Sequence, residues 1–78
     1  PEDAAVAAEV RGLLAEAIDA LPERQRVVIT LRDVQGLTSA EVSEVLEISP
    51  ENQRVLLHRA RAKVRAALES YYRPAVQV

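Results

Sequence analysis

Residues 38–51 read TSAEVSEVLEISPE and contain two helix starts about eleven residues apart. Thr38 and Glu41 have the spacing of a capping box, in which each side chain accepts a hydrogen bond from the backbone amide of the other residue. Ser49 and Pro50 repeat the signal as an N-cap and a first helical residue. A short helix is therefore predicted to turn sharply into a longer one, which is the geometry of a helix-turn-helix motif.

Two more helices are predicted ahead of this motif, because apolar residues recur there at helical spacing. In the first helix they run from Val6 to Leu21, and Pro22 ends it. The second helix ends at Gly36, where a left-handed backbone is expected. Its predicted buried side consists of Val27, Val28, Leu31 and Val34. The buried stripe predicted for the helix after Thr38 consists of Val42, Val45 and Leu46.

One all-α domain of four helices is predicted to cover residues 1–78, with residues 38–72 as the helix-turn-helix. Residues 1–5 and 73–78 are expected to be frayed ends. The chain is 49% hydrophobic but only 3% aromatic, and a core of Ala, Val, Leu and Ile suits close-packed helices better than a sheet. Because the chain begins with Pro1 rather than Met, we expect it to be a piece of a longer protein.

Several classes of function are excluded by what the sequence lacks. It has no cysteine, which excludes a disulfide scaffold, a Cys-containing zinc site and a thiol nucleophile. No apolar run approaches the roughly 18 residues of a membrane span. The chain has one histidine and no Ser/His/Asp arrangement, glycine-rich loop or metal-ligand spacing. We therefore expect no catalysis, no cofactor and no bound metal.

The charge is divided unevenly along the chain. Residues 1–50 carry ten acidic and four basic side chains, a net charge of −6, whereas residues 51–78 carry two acidic and six basic ones, a net charge of +4. Such asymmetry indicates an end that faces a polyanion, although a basic helix that is only solvated has the same composition.

The last helix, predicted from about residue 50 to residue 72, separates into faces when its residues are placed 100° apart. The sector predicted to face the other helices contains Gln53, Leu57, Ala60, Val64, Leu68 and Tyr71. The predicted outward face contains Glu51, Asn52, Val55, His58, Arg59 and Ala62. The flanks consist of Arg54, Arg61 and Arg65 on one side and of Leu56 and Lys63 on the other.

This layout is typical of a helix that recognises DNA, whose first residues reach base edges in the major groove while later cations hold phosphates. The guanidinium of Arg54 can pair with a guanine through two hydrogen bonds, and the methyl groups of Val55 suit a thymine methyl. His58 can donate to a base or a phosphate, or it can be a surface histidine without a role. Arg61 and Lys63 belong to the basic stripe that is predicted to bind DNA.

Three motifs in the chain resemble one known family. Residues 21–26 (LPERQR), 36–42 (GLTSAEV) and 57–65 (LHRARAKVR) are similar, in this order and spacing, to region 4 of bacterial sigma factors. The group they resemble most is the extracytoplasmic-function (ECF) type. The resemblance covers residues 10–70, and the frequent use of Ala, Val and Arg resembles actinobacterial members.

The resemblance implies a cytoplasmic domain that binds the −35 promoter element through its fourth helix. It also implies docking on the flap of the RNA polymerase β subunit and sequestration by an anti-sigma factor. By position, the base-facing residues that it implies are Arg54, Val55 and His58. The implied phosphate-facing residues are Asn52 and Arg59, and the residues implied to lie near the DNA backbone are Thr38 and Ser39.

The chain departs from the family pattern at three places. The usual turn glycine is Glu47, which we expect to cost strain if its backbone is left-handed. Gln53 brings an amide to a normally apolar, core-facing position. Val55 and Leu56 replace the usual Ser and Arg, so two apolar side chains stand at or near the surface. We expect them to contact promoter methyl groups or to belong to a protein interface with the anti-sigma factor.

Two other interpretations stay open at this point. A response-regulator output domain shares the Thr-x-x-Glu cap and the short turn. A helical protein-interaction module would carry a basic stripe that is merely solvated. Capture by the isolated polymerase flap distinguishes a sigma factor from the first alternative, and salt-dependent DNA binding distinguishes it from the second.

Overall fold

The computed structural model describes residues 2–71, and the side chains from residue 4 onward. Its four α-helices are, in chain order, α1 (Glu2–Asp19), α2 (Glu23–Ile29), α3 (Ser39–Leu46) and α4 (Pro50–Tyr71). A π-helical turn, Thr30–Val34, prolongs α2. No strand occurs among the described residues, and the all-α prediction is confirmed. The predicted frayed end at residues 73–78 lies outside the described residues.

The helix starts lie where the capping signals predict them. Thr38 Oγ1 accepts a hydrogen bond from the N–H of Glu41 at 3.1 Å, and the N–H of Thr38 donates to Glu41 Oε1 at 2.8 Å, which completes the capping box. Ser49 is the residue immediately before α4, and its Oγ accepts a hydrogen bond from the N–H of Asn52 at 3.0 Å. Gly36 has a φ of 80°, the left-handed conformation expected there. Local signals therefore determine the start of α3 and the start of α4.

The core forms where α4 packs against the other helices. Leu57, Ala60 and Val64 of α4 are buried, as predicted. They belong to one apolar cluster, whose other buried members are Leu21, Val28, Ile29 and Val42. Gln53 also faces this core and has only 1% of its surface exposed. Because the buried residues of α4 share one sector of the helix, the opposite sector is left for solvent or a ligand.

The end of the second helix differs from the sequence prediction. Val34, predicted on its buried side, is 63% exposed. The buried positions are Val28 and Ile29, and Val34 is the last residue of the π-helical turn that follows them. The last turn is also widened, because the N–H of Gln35 donates to the carbonyl of Thr30 at 2.9 Å. A π-helical turn departs from the α-helical period, so that period cannot place its side chains.

Two further residues predicted to be buried are exposed. On α3 the buried positions are Val42 and Ser43, and Val45 is 61% exposed. Tyr71 lies at the end of α4, where its ring is exposed and its hydroxyl donates to Glu9 Oε2 at 2.7 Å. A phenol is stable at the edge of a small core because its polar end needs a partner or water. Both helices therefore bury a narrower stripe than their apolar pattern predicts.

The turn between α3 and α4 contains a strained residue. Glu47 has a φ of 56° and a ψ of 46°, so a residue with a side chain occupies a left-handed position that favours glycine. The N–H of Glu47 donates to the carbonyl of Glu44, and the N–H of Ile48 donates to the carbonyl of Ser43. This is the Schellman arrangement, which requires a left-handed residue. The sequence predicts strain at Glu47 if its backbone is left-handed, and the structure shows that it is.

Replacing Glu47 with Gly is expected to raise the free energy of unfolding by about 1 kcal/mol. Glycine removes the steric cost of the left-handed backbone and a carboxylate at the negative end of the α3 dipole, while the larger entropy of the unfolded chain offsets part of the gain. Urea unfolding followed by circular dichroism measures the change. Glu44→Gly, inside α3, is the matched control and is expected to lose about 0.5–1 kcal/mol. Equal effects at the two positions would show that left-handed strain is not the cause.

Candidate nucleic-acid interface

The face of α4 that points away from the core is polar and open. The predicted base- and phosphate-facing residues Asn52, Arg54, Val55, His58 and Arg59 are all exposed. Four of them, at positions 54, 55, 58 and 59, line one shallow depression, which we call the outer patch. Residues four apart on a helix are neighbours, so these side chains form two adjacent pairs and one continuous surface.

The arginines of the outer patch keep their charge available for a ligand. Among the residues that the structure describes, neither Arg54 nor Arg59 has a carboxylate within ion-pair distance. Val55 adds apolar surface between them, and His58 adds a ring nitrogen that can donate or accept a hydrogen bond. Forked donors beside an apolar contact match the donor, acceptor and methyl pattern that base pairs present in the major groove.

Further cations follow the outer patch along α4. Arg61, Lys63 and Arg65 are exposed in the second half of this 22-residue helix. The outer patch therefore lies nearer the N-terminal end of α4, and the further cations continue toward its C-terminal end. This is the order that the sequence predicts for contacts with bases and then with phosphates.

Arg61 has a partner that helical spacing does not reveal. Its Nε donates to Asp33 Oδ2 at 2.8 Å and its Nη2 donates to Asp33 Oδ1, so the guanidinium binds both oxygens of the carboxylate. These hydrogen bonds lower the pKa of Asp33 and raise the pKa of Arg61. The pair therefore stabilises the fold above the ordinary pKa of a carboxyl group and loses this contribution as the pH falls through the lowered pKa of Asp33. The predicted role of Arg61 in DNA binding stays a prediction.

The two residues predicted near the DNA backbone at the start of α3 are exposed, but their hydroxyls also serve the fold. Thr38 Oγ1 caps α3. The hydroxyl of Ser39 donates to Oε1 of the buried Gln53, which connects the first turn of α3 to the first turn of α4. This bond gives a partner to the oxygen of the amide that replaces an apolar residue at a core-facing position.

The two apolar residues that depart from the family pattern differ in burial. Val55 is exposed within the outer patch. Leu56 is half-buried and packs against the core cluster, beside a cleft that it shares with Leu46 and Ile48. Leu56 is therefore partly a core residue, and Val55 is the one of the two that presents an apolar surface on the outward face.

Other kinds of site find no support in the part of the chain with described side chains. No group of three or more His, Asp or Glu residues there could hold a metal ion. The helices within residues 2–71 include none that is both long enough and apolar enough to cross a membrane.

Sequence reasoning misses two contacts that shape this interface. Asp33 and Arg61 lie 28 positions apart, and Ser39 and Gln53 lie 14 apart, so no local spacing marks either pair. Of these four residues, only Gln53 could be recognised from the sequence as needing a partner, because a polar residue predicted to face the core requires a hydrogen bond. The identity of that partner depends on how α3 crosses α4.

The four helices, with the short turn between α3 and α4, define an all-α helix-turn-helix domain. The chain belongs to the Sigma-70, region 4 family, whose model matches residues 11–64. The family membership predicted from three sequence motifs is therefore confirmed, and the response-regulator alternative is set aside.

The relatives of the chain include several ECF RNA polymerase sigma factors. ShbA of Streptomyces griseus is 36% identical over 88% of the chain, SigW of Bacillus subtilis is 34% identical over 87%, and the sigma-E factor of Salmonella typhimurium is 31% identical over 82%. The chain spans 34–36% of the length of these relatives. No solved structure matches it. These similarities support an ECF type of region 4 domain, and the actinobacterial assignment stays a prediction.

Proposed function

We propose that this chain is the promoter-binding domain of an ECF sigma factor and that the outward face of α4 recognises the −35 element. The observation that carries the proposal is the outer patch, where Arg54, Val55 and His58 lie exposed together on a helix whose opposite side is buried. The major groove admits one such helix and presents distinct base edges to it. The net charge of +4 over residues 51–78 attracts the phosphates on either side.

The proposed contacts divide by role. Arg54, Val55 and His58 contact base edges and thereby determine the preferred sequence. Asn52, Arg59 and Lys63 contact phosphates, which position the helix without distinguishing sequences. Thr38 and Ser39, both exposed, lie near the DNA backbone at the start of α3.

Fluorescence anisotropy with a labelled duplex tests this proposal. If about four phosphates are neutralised, the logarithm of the affinity is expected to fall against the logarithm of the salt concentration with a slope near −3.6, from ~0.9 per contact. We expect a dissociation constant no tighter than about 10⁻⁶ M, because the net charge of −6 over residues 1–50 repels DNA. An affinity for DNA that does not change with salt concentration, or no DNA binding at all, would favour a helical protein-interaction module.

We propose RNA polymerase as the second partner, through the flap of its β subunit, in the cytoplasm. These relatives are ECF RNA polymerase sigma factors, and the chain spans about a third of their length. Attachment to a larger assembly would raise the effective concentration of a weakly binding domain at its promoter. A pull-down with the isolated flap is expected to retain the chain, and failure to retain it would contradict this part of the proposal.

We propose an anti-sigma factor as the third partner. Val55 is apolar and exposed within the outer patch, so a protein that covers the patch would bury apolar surface and exclude DNA. Leu56 supports this interface less strongly, because part of its side chain already packs against the core. Promoter duplex and anti-sigma partner are expected to compete for the chain, whereas simultaneous binding would rule out the outer patch as the shared surface.

A further inference from the structure

We infer that Asp33 acts as an internal substitute for a DNA phosphate: it occupies the guanidinium of Arg61 and thereby withholds one cation of α4 from DNA. This inference rests on the proposed DNA-binding function. It gives a role to a residue outside the helix-turn-helix, and it differs from the sequence prediction that Arg61 binds DNA, which is equally open to the test below. Asp33 is thus a positioning residue that limits binding to DNA of every sequence.

The contact between Asp33 and Arg61 has the geometry with which arginine binds a phosphate. Two parallel N–H donors of the guanidinium, at Nε and Nη2, meet the two carboxylate oxygens. A carboxylate and a phosphate each offer two oxygen atoms that can accept these two parallel hydrogen bonds. While Asp33 occupies these two donors, a DNA phosphate cannot bind this edge of the guanidinium, and the carboxylate balances its positive charge.

The pair lies at the surface on a flank of the proposed DNA face. The side chains of Arg61 and Asp33 are 49% and 35% exposed, so the bond is open to competition from a phosphate. Arg61 follows Arg54 by seven residues, which is close to two helical turns, and both lie on the same flank of α4. A phosphate that approaches this flank would therefore meet Arg61 if Asp33 were absent.

Among the described cations of α4, Arg61 is the one that an ion pair holds. In the part of the chain with described side chains, this is the single ion pair, although Arg65 and Glu69 lie four residues apart on the same helix. Asp33, Arg61, Arg65 and Glu69 all line one groove, which α1, α4 and the π-helical turn enclose. Glu69 therefore places a carboxylate at the same groove without holding a cation, which makes it a matched control.

The expected consequence concerns affinity rather than sequence preference. An arginine that contacts a phosphate raises the affinity for every duplex alike and steepens the salt dependence. Holding Arg61 on Asp33 removes one such contact and leaves the base-facing residues of the outer patch unchanged. The bond also keeps the pKa of Asp33 low, so the carboxylate stays charged at neutral pH.

Anisotropy titrations of the 78-residue chain at 50–200 mM salt test the inference, with Asp33→Asn, Arg61→Ala, the double variant and Glu69→Gln. Asp33→Asn is expected to steepen the salt slope by about 0.9 and to raise affinity about fivefold at 0.15 M salt, relative to a 1 M reference, for promoter and scrambled duplexes alike. Arg61→Ala alone is expected to leave the slope unchanged. The double variant is expected to return to the original slope, and Glu69→Gln not to steepen it.

Each contrary result has a distinct meaning. If the unsubstituted chain shows no salt-dependent DNA binding, the proposed function fails and the inference fails with it. If that chain binds but Asp33→Asn leaves the slope unchanged, the inference alone is overturned. It is also overturned if Arg61→Ala makes the slope shallower by about 0.9, because Arg61 would then already contact a phosphate. Circular dichroism shows whether each variant folds. The result for Arg61→Ala remains decisive even if Asp33→Asn does not fold.

Discussion

Arg54→Ala is expected to weaken binding to the preferred duplex by about 1–3 kcal/mol, a loss of roughly 5- to 150-fold, and to relax the preference at one base pair. Arg54 lies exposed in the outer patch, in the second turn of α4, and has no carboxylate partner among the described residues. Its two-pronged contact to a guanine would be lost, whereas the fold would keep its core. Titrations against duplexes with single base-pair changes across the −35 element measure both effects.

Arg59→Ala is the matched control for this substitution. Arg59 lines the same depression and carries the same side chain, but it is assigned to a phosphate. Its loss is expected to weaken binding to all duplexes about equally and to make the salt slope shallower by about 0.9. Identical behaviour of the two variants, in sequence preference and in salt slope, would show that the division between base and phosphate contacts is wrong.

Ser39→Ala is expected to lower the free energy of unfolding by about 1–3 kcal/mol. The hydroxyl of Ser39 donates to Oε1 of Gln53, whose side chain is almost completely buried. Removing the donor leaves a buried carbonyl oxygen without this hydrogen bond, and the cost is the desolvation of that group. Urea unfolding measures the loss. Ser70→Ala, on the exposed end of α4, is the control and is expected to change stability by no more than about 0.5 kcal/mol.

A double-substitution cycle separates the hydrogen bond from the change in side-chain size. Gln53→Leu removes the buried amide and leaves Ser39, which is exposed, to bond with water. The Ser39→Ala/Gln53→Leu variant is therefore expected to be clearly more stable than Ser39→Ala alone, because replacing both partners by apolar groups is nearly neutral. Additive losses in the double variant would show that the two side chains do not interact in solution.

The starts of α3 and α4 were predictable because their determinants are local. Thr38 and Glu41 satisfy each other's amides within one helical turn, and Ser49 caps the helix that Pro50 begins. The left-handed backbone at Gly36 follows from the lack of a side chain there. The outward position of the patch residues follows from the helical period alone.

The errors concern residues whose environment is set by distant parts of the chain. Val45 matches the apolar period of α3 and yet is exposed, and Val34 lies in the π-helical turn, where the α-helical period does not apply. A helix with apolar residues on more than one side can turn any of them inward, and the choice is made by the neighbours it packs against. Tyr71 is exposed because α4 extends beyond the small core to which the other helices contribute.

By itself, the sequence determined where α3 and α4 begin and which side of α4 is polar, because capping and helical periodicity act within a few residues. The tertiary structure alone decided that Asp33 binds Arg61 and that Ser39 binds Gln53. Both contacts join helices that are distant in sequence, so they depend on the crossing of α4 with the other helices. That crossing is set by the packing of the whole apolar core, a property that no short stretch of sequence contains.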